Sequence, residues 1–485
     1  VNTMILTLLL GNVVPVADVP KESDYYEITT VKIPAGIVLE VGGIAAPEKG
    51  VIYASTRRGD IWRIEAAYGP EPEFSLWADG LQEPLGLLWR DGWLYTAQRG
   101  ELSRLRDSDG DGQSDELETI CDSWTISGNY HEYAFGPRID SSGNFWLTLN
   151  RPFGGQPFGV KEWRGWAMRI SPDGEMVPYA GGLRSPAGIE ISPWGDVFYS
   201  DNQGEWCGSN KLCHIEEGDF FGHPLGIESA KLPASRMKFP GKVPDGLTYT
   251  EARKQLPDLK LPVVWFPYDK MGKSAAGMVW DTSDGNFGPF SGQLLIGDQH
   301  HSSIMRVDME KVDGVWQGAA MRFRENFDCG VLRLCWGDDN TLVVGETNRG
   351  WGSKGTKPWG LQMLRWTGET PCEVLTCRAT ADGYRLTFTT DMDTATLADP
   401  ASYSIENYTY KLHSPYGSPE VERAGVTVEE TTVEDKRTVR LRLSGPGAMR
   451  IGYVSEMKLK GIRAADGRPL LHAEVYATLN VVPGG

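Results

Sequence analysis

Along this chain the apolar positions rarely recur at the three-to-four-residue spacing of an amphipathic helix; they come in short runs broken by glycine-marked turns, a strand pattern. Six such runs follow a Gly or Asn: GVIYAS from Gly50, GWLYTAQ from Gly92, GNFWLTLN from Gly143, GDVFYSDN from Gly195, GQLLIGDQ from Gly292 and NTLVVGETN from Asn340. Each is followed by a looser polar-apolar-x-Arg-apolar strand: DIWRI at Asp60, ELSRL at Glu101, WAMRI at Trp166, KLCHI at Lys211, SIMRV at Ser303 and LQMLRW at Leu361. Five are also preceded by a strand of small residues, PLGLLW at Pro84, EYAFGPRI at Glu132, PAGIEI at Pro186, AAGMVW at Ala275 and CGVLRL at Cys329. Small residues suit an innermost strand, where blades crowd a central channel. The repeat therefore predicts an all-β fold, a six-bladed β-propeller over residues 18–370. The signature stops near Thr370, and residues 371–485 alternate as YRLTFT, YSIENYTY, RTVRLRL and AEVYATLNVV, which predicts a β-sandwich (Ig-like) module. Its aromatic stretch at residues 408–419 could face a ligand or the propeller, and packing on the propeller is the default expectation.

The 58 glycines and 17 tryptophans in 485 residues agree with a turn-rich all-β chain. A formal charge of -17 argues against a nucleic-acid partner, whose phosphates need a basic surface. Residues 4–17, MILTLLLGNVVPVA, are too short an apolar run to span a bilayer. They read as a signal peptide over residues 1–17, without the usual preceding Lys or Arg, and place the protein in the periplasm or outside the cell. No later stretch reads as a transmembrane segment. Among seven cysteines, Cys207 with Cys213 and Cys372 with Cys377 are spaced as candidate short disulfides, and no CxxCH haem motif occurs.

In an antiparallel meander the start of the first strand and the end of the second share a face. That rule gathers His131, Glu132, Arg184 and Lys273 with Arg57, Arg99, Arg151, Gln203, His300, His301 and Arg349 around one mouth, a default ligand site. His131 opens an inner strand and is the candidate general base. Alternation turns Glu132 away from it, so Arg184 is expected to dominate and keep the ring neutral near pH 7. His300 and His301 are adjacent, and only one is expected to reach the pocket. Separately, DSDGDGQSDELE at residues 107–118 carries the spacing of a twelve-residue calcium loop, with Asp107, Asp109, Asp111, Gln113, Asp115 and Glu118 as metal residues. It leaves a third strand, so it is expected opposite the mouth.

With six blades and His131 so placed, residues 25–370 resemble the glucose/sorbosone dehydrogenase-like propellers, soluble quinoproteins that use pyrroloquinoline quinone and calcium to oxidise sugars. The phrases NYHEYAFGP, SDNQGEW, GHP and ETNRGWGSKG resemble most a bacterial secreted subgroup of membrane-bound dehydrogenase-like domains, and YGSPEVE resembles the segment that follows the propeller there. The resemblance implies an exported sugar or polyol dehydrogenase with a quinone cofactor and an external electron acceptor. It implies His131 as base, Arg184 on the cofactor, and the Gly204 and Glu205 backbone at calcium; Gln203 and His300 at the same mouth, with Lys273 and Arg349 as substitutes where the family pattern is missing, are expected to complete the cofactor site. Three positions depart from the family pattern. Ser185 stands for an asparagine, His300 for a lysine, and VLRL for an arginine pair, with Arg333 displaced by one and so turned to the other face. These departures support an alternative, a non-redox carbohydrate-binding or glycan-cleaving propeller, with Tyr130, Trp351 and Trp359 as sugar-stacking rings.

Overall fold

The computed structural model describes residues 19–154 and 158–484; the signal-peptide reading of residues 1–17 lies outside them. Five discrete four-stranded antiparallel sheets stand around a central channel. Their innermost strands are Val41–Glu48, Leu87–Arg90, Ala134–Ile139, Pro186–Ile191 and Val331–Trp336. The last of these sheets takes its outer strand from the start of the chain, Tyr26–Thr30 pairing with Trp359–Trp366, which closes the ring non-covalently. The first inner strand, VGGIAAPE, escaped the sequence reading, although its small residues match the other five.

Steric fit explains those small residues. A Cβ on Gly86, which has φ +147°, would lie 2.3 Å from the Gly136 carbonyl oxygen of the next sheet. A Cβ on Gly188 would lie 2.0 Å from that of Ala276. Neighbouring backbones therefore touch where the sheets converge.

Six separate blades were expected, and five are found. The strands of the remaining repeat, Ala275–Trp280, Leu294–Asp298, Ser303–Val312 and Val315–Arg324, are the first four of an eleven-stranded sheet. The cause is length. The hairpin Ser303–Val312/Val315–Arg324 has ten residues a side, twice the usual five here, and its projecting edge pairs with Glu474–Leu479. An unpaired edge that long is a template for another strand. The expected Ig-like sandwich does not emerge as a separate sheet: the C-terminal strands continue this one, and the fifteen-residue strand Val421–Asp435 pairs with both Tyr403–Thr409 and Thr438–Ser444. They close around a second core that includes Phe388, Leu441, Met457 and Val475, with Met321 contributed by the projecting hairpin.

The aromatic stretch packs as expected at Tyr408, Tyr410 and Leu412, which join the main core with Trp265. None of the seven cysteines is bridged. Cys372 and Cys377 lie five residues apart along extended chain, roughly 16 Å, too far for a disulfide. No helix among the described residues is long and apolar enough to cross a membrane.

Candidate functional site

At the channel mouth lies an open cavity of about 790 Å³, part of it open to solvent. His131, Arg184, Gln203, Lys273 and Arg349 line it together, although they come from four different repeats. Arg57, Tyr133, Phe153, Trp351 and Tyr416 complete the part that concerns ligands.

His131 sits three residues before the strand Ala134–Ile139, and a local network fixes it. The Asn129 side-chain oxygen accepts the N–H of His131 at 3.0 Å and that of Phe153 at 3.1 Å, while its amide donates to the Phe153 carbonyl at 2.7 Å. The stapling lays the imidazole on the Phe153 ring, centroids 4.5 Å apart and planes within 22°. Glu132 is fully buried and turned away: its carboxylate accepts from Ser127 N, Ser127 Oγ and Asn129 N. Desolvation, followed by the charges of Arg184 and Arg151, lowers the His131 pKa below its ordinary value, so the ring is neutral at pH 7.

The guanidinium groups around it are organised in pairs. Glu205 is shared by Arg184 at 3.1 Å and Arg151 at 2.5 Å. Glu83 is shared by Arg57 at 2.9 Å and Arg99 at 3.0 Å. Glu40 is shared by Arg349 at 3.0 Å and Arg58 at 3.3 Å. One carboxylate between two guanidiniums leaves each triad a net positive charge. The strain is visible at Arg151, where burial and the repulsion of Arg184 lower the pKa to about 10. Lys273 is held by Asp269 at 2.9 Å. The sequence reading missed Asn129, Phe153, Glu83 and Glu40, and named Glu205 only for its backbone and Tyr416 only within the aromatic stretch; Glu83 and Glu40 precede small-residue strands, and their charge opposite so many arginines was the available signal.

Three expected cofactor residues, His300, Gly204 and Glu205, do not line the cavity, and neither does His301. His300 Nδ1 lies 2.7 Å from the Gly352 carbonyl oxygen, and His301 Nε2 lies 3.4 Å from Asp269. The Glu205 carboxylate belongs to its arginines, and the Gly204 carbonyl accepts the N–H groups of Cys207 and Gly417, both at 3.0 Å. Both acceptor directions of that oxygen are used, so calcium at Gly204 does not fit. Trp359 begins the strand Trp359–Trp366 and lies away from the mouth, beside Lys357 and Val31. Arg333 also departs from expectation. A register shift between Val331 and Arg333 turns it into the channel, where it donates to the carbonyls of Gly42, Leu85, Ala187 and Leu332.

The acidic loop holds only part of the expected calcium set. Asp107, Asp109 and Asp111 gather their oxygens within 4.8 Å. Asp115 instead binds Ser108, and Glu118 has entered the strand Glu116–Cys121, where it pairs with Arg104. Gln113 lines a separate hollow with Asp115 and Trp77. The strand that starts at Glu116 removes the last ligand position from the loop.

A polycarboxylate quinone fits the mouth better than the cation does, because the arginine triads supply excess positive charge and the rings supply flat faces.

A domain of unknown function, DUF7133, matches residues 69–224. No curated protein matches the chain. Among solved structures, a member of carbohydrate-active enzyme family AA12 from Trichoderma reesei superposes with a TM-score of 0.51 at 12% identity, covering 71% of this chain and 96% of that one. At that identity the likeness speaks for the propeller fold alone. A soluble aldose sugar dehydrogenase from Escherichia coli gives 0.48 at 14% identity, covering 70% and 99%. The PQQ-bound aldose sugar dehydrogenase from Streptomyces coelicolor gives 0.46 at 14% identity, covering 70% and 98%.

Proposed function

We propose that the mouth cavity is the active site of an exported sugar or polyol dehydrogenase that uses a carboxylated quinone. The observation that carries this reading is His131, neutral, immobilised on Phe153 and facing a cavity rimmed by the arginine triads. Arg57, Arg184, Arg349 and Lys273 would hold the carboxylates of the quinone, which supplies the acceptor for a hydride. His131 takes the proton of the substrate hydroxyl; a neutral imidazole beside guanidiniums has a nitrogen lone pair and no carboxylate competing for it. Phe153 keeps the ring from turning away, and Asn129 keeps Phe153 in place. The reading includes an external electron acceptor, since the chain has no CxxCH. It also includes a calcium ion at Asp107, Asp109 and Asp111, far from the chemistry; chelation should lower the melting temperature, and Asp109→Asn should remove the effect.

The test is reconstitution with pyrroloquinoline quinone and dye reduction over a panel of sugars and polyols. His131→Asn should retain quinone binding and lose about 10²–10⁴-fold in turnover. Turnover unchanged in that variant, or no dye reduction with any substrate, removes the reading.

A specific observation favours a second, non-redox reading. Tyr130, Trp351 and Tyr416 are exposed at the mouth or just beside it, as in sites that bind sugars by ring stacking. Calorimetry with glycans and no cofactor separates the two: saccharide binding that survives His131→Ala speaks for a binding module.

A further inference from the structure

Part of the cavity wall comes from outside the propeller. The chain between Leu412 and Pro419 crosses the rim of the fourth repeat and is fastened along its length. Trp206 N donates to the His413 carbonyl at 2.8 Å, Gly417 N to Gly204 at 3.0 Å and Ser418 N to Gly208 at 2.8 Å. Ser414 binds Asp245 through its backbone N–H at 3.0 Å and its hydroxyl at 2.7 Å. His413 Nε2 lies 2.5 Å from the Gly417 carbonyl oxygen and closes the turn. Gly417 has φ +64°, and a Cβ there would lie 2.6 Å from the end of the Gln203 side chain, so a larger residue would take a strained backbone and push the Gln203 amide aside. At its apex Tyr416 bridges to Glu205 and faces the cavity, ring centroid 5.1 Å from the Arg184 guanidinium carbon, 56% exposed. An exposed ring held this firmly over a cation is a pre-organised binding face.

We infer that residues 413–418 are a fixed wall of the ligand cavity: Tyr416 is a specificity-determining face, and Gly417 takes the carbonyl expected at calcium, so ligand binds with no cation on Gly204. The ligand class is a ring, planar or with a C–H face, carrying an anionic group: the face rests on Tyr416 and the anion points to Arg184. This rests on the cavity being the ligand site, and the quinone is one member of the class. A cation could reach the Gly204 carbonyl only by displacing Gly417, and the fastenings on either side hold that residue down.

The experiment uses the full chain. Hydrogen exchange over residues 410–420 should be slow in the ligand-free protein and unchanged by millimolar calcium. Exchange at the rate of an unstructured segment, or release by calcium, overturns the wall. Titration with pyrroloquinoline quinone, followed by tryptophan fluorescence, should give the same Kd in chelator and in calcium; tightening of about tenfold or more with calcium overturns the inference. Tyr416→Ala should weaken binding about tenfold while Tyr416→Phe retains it, since the ring face and not the hydroxyl is used. Equal affinity of all three proteins overturns the role of Tyr416. If the quinone does not bind while exchange stays slow, the quinone reading fails and the wall stands. Glucuronate then replaces the quinone as probe for the Tyr416 variants, and failure of both probes overturns Tyr416 as a ligand face.

Discussion

A histidine that is to accept a proton must be held in place and kept neutral, and different residues do the two tasks for His131. Asn129 and Phe153 hold it; burial and the guanidiniums of Arg184 and Arg151 keep it unprotonated. Replacing Arg184 by Met removes a positive charge from beside the ring, so the His131 pKa should rise toward its ordinary value. An NMR titration of the ring is expected to show the midpoint moving up, and the acid limb of activity should move with it. A midpoint that does not move would assign the lowered pKa to burial and the remaining guanidiniums, and not to Arg184. His131 was legible in the sequence because few histidines compete and this one enters an inner strand. Phe153 and Asn129 were not, because their contribution is contact across a loop, which spacing does not encode.

Alternation and turn chemistry carried the reading as far as the single strand. The three-strand repeat located the inner strands to within a few residues, since small side chains there answer a steric demand that neighbouring backbones impose. Alternation failed at Arg333, where an irregularity in pairing reversed the face. The residue now donates to carbonyls on several inner strands, and its pKa is lowered to about 9 by burial and by Arg138 and Arg57. Arg333→Leu would remove this donor from the carbonyls of Gly42 and Ala187, while Leu85 keeps the N–H of Gly136, at about 1–3 kcal/mol for each carbonyl stranded. A fall in Tm of roughly 5–10 °C is expected. A melting curve like the wild type would mean that water replaces the guanidinium. The acidic loop shows the same limit from the other side. Its one-dimensional spacing met the calcium pattern at every key position, but a strand beginning at Glu116 took the last ligand, Glu118, into a cross-strand ion pair with Arg104.

At the scale of the whole molecule, the boundary expected near residue 371 is crossed by a sheet, which composition cannot signal because both sides are β. Segments distant in the chain also meet there. His472 Nδ1 lies 2.6 Å from Glu373 and Nε2 lies 2.9 Å from Glu22, and Glu22 in turn pairs with Arg324 at 3.2 Å. Burial opposes a charged ring, but the Glu373 and Glu22 charges and hydrogen bonds prevail and raise the His472 pKa to about 9. A folded pKa above the unfolded one stabilises fully below about pH 6.5, and that stability is lost as pH rises through about 9. At about 1.4 kcal/mol per decade of proton affinity the clamp contributes on the order of 3 kcal/mol. Tm should therefore fall between pH 6.5 and 9.5 by more in the wild type than in His472→Gln, and parallel curves would show that the clamp carries no proton linkage. The closure at Tyr26–Thr30 bears on time as well as on stability. Its partner strand ends at Trp366, so at about 5–20 residues per second the ribosome needs on the order of 20–70 s to deliver it. For that interval the strand Tyr26–Thr30 is a bare edge, and the nascent ring cannot close however well its middle sheets have folded.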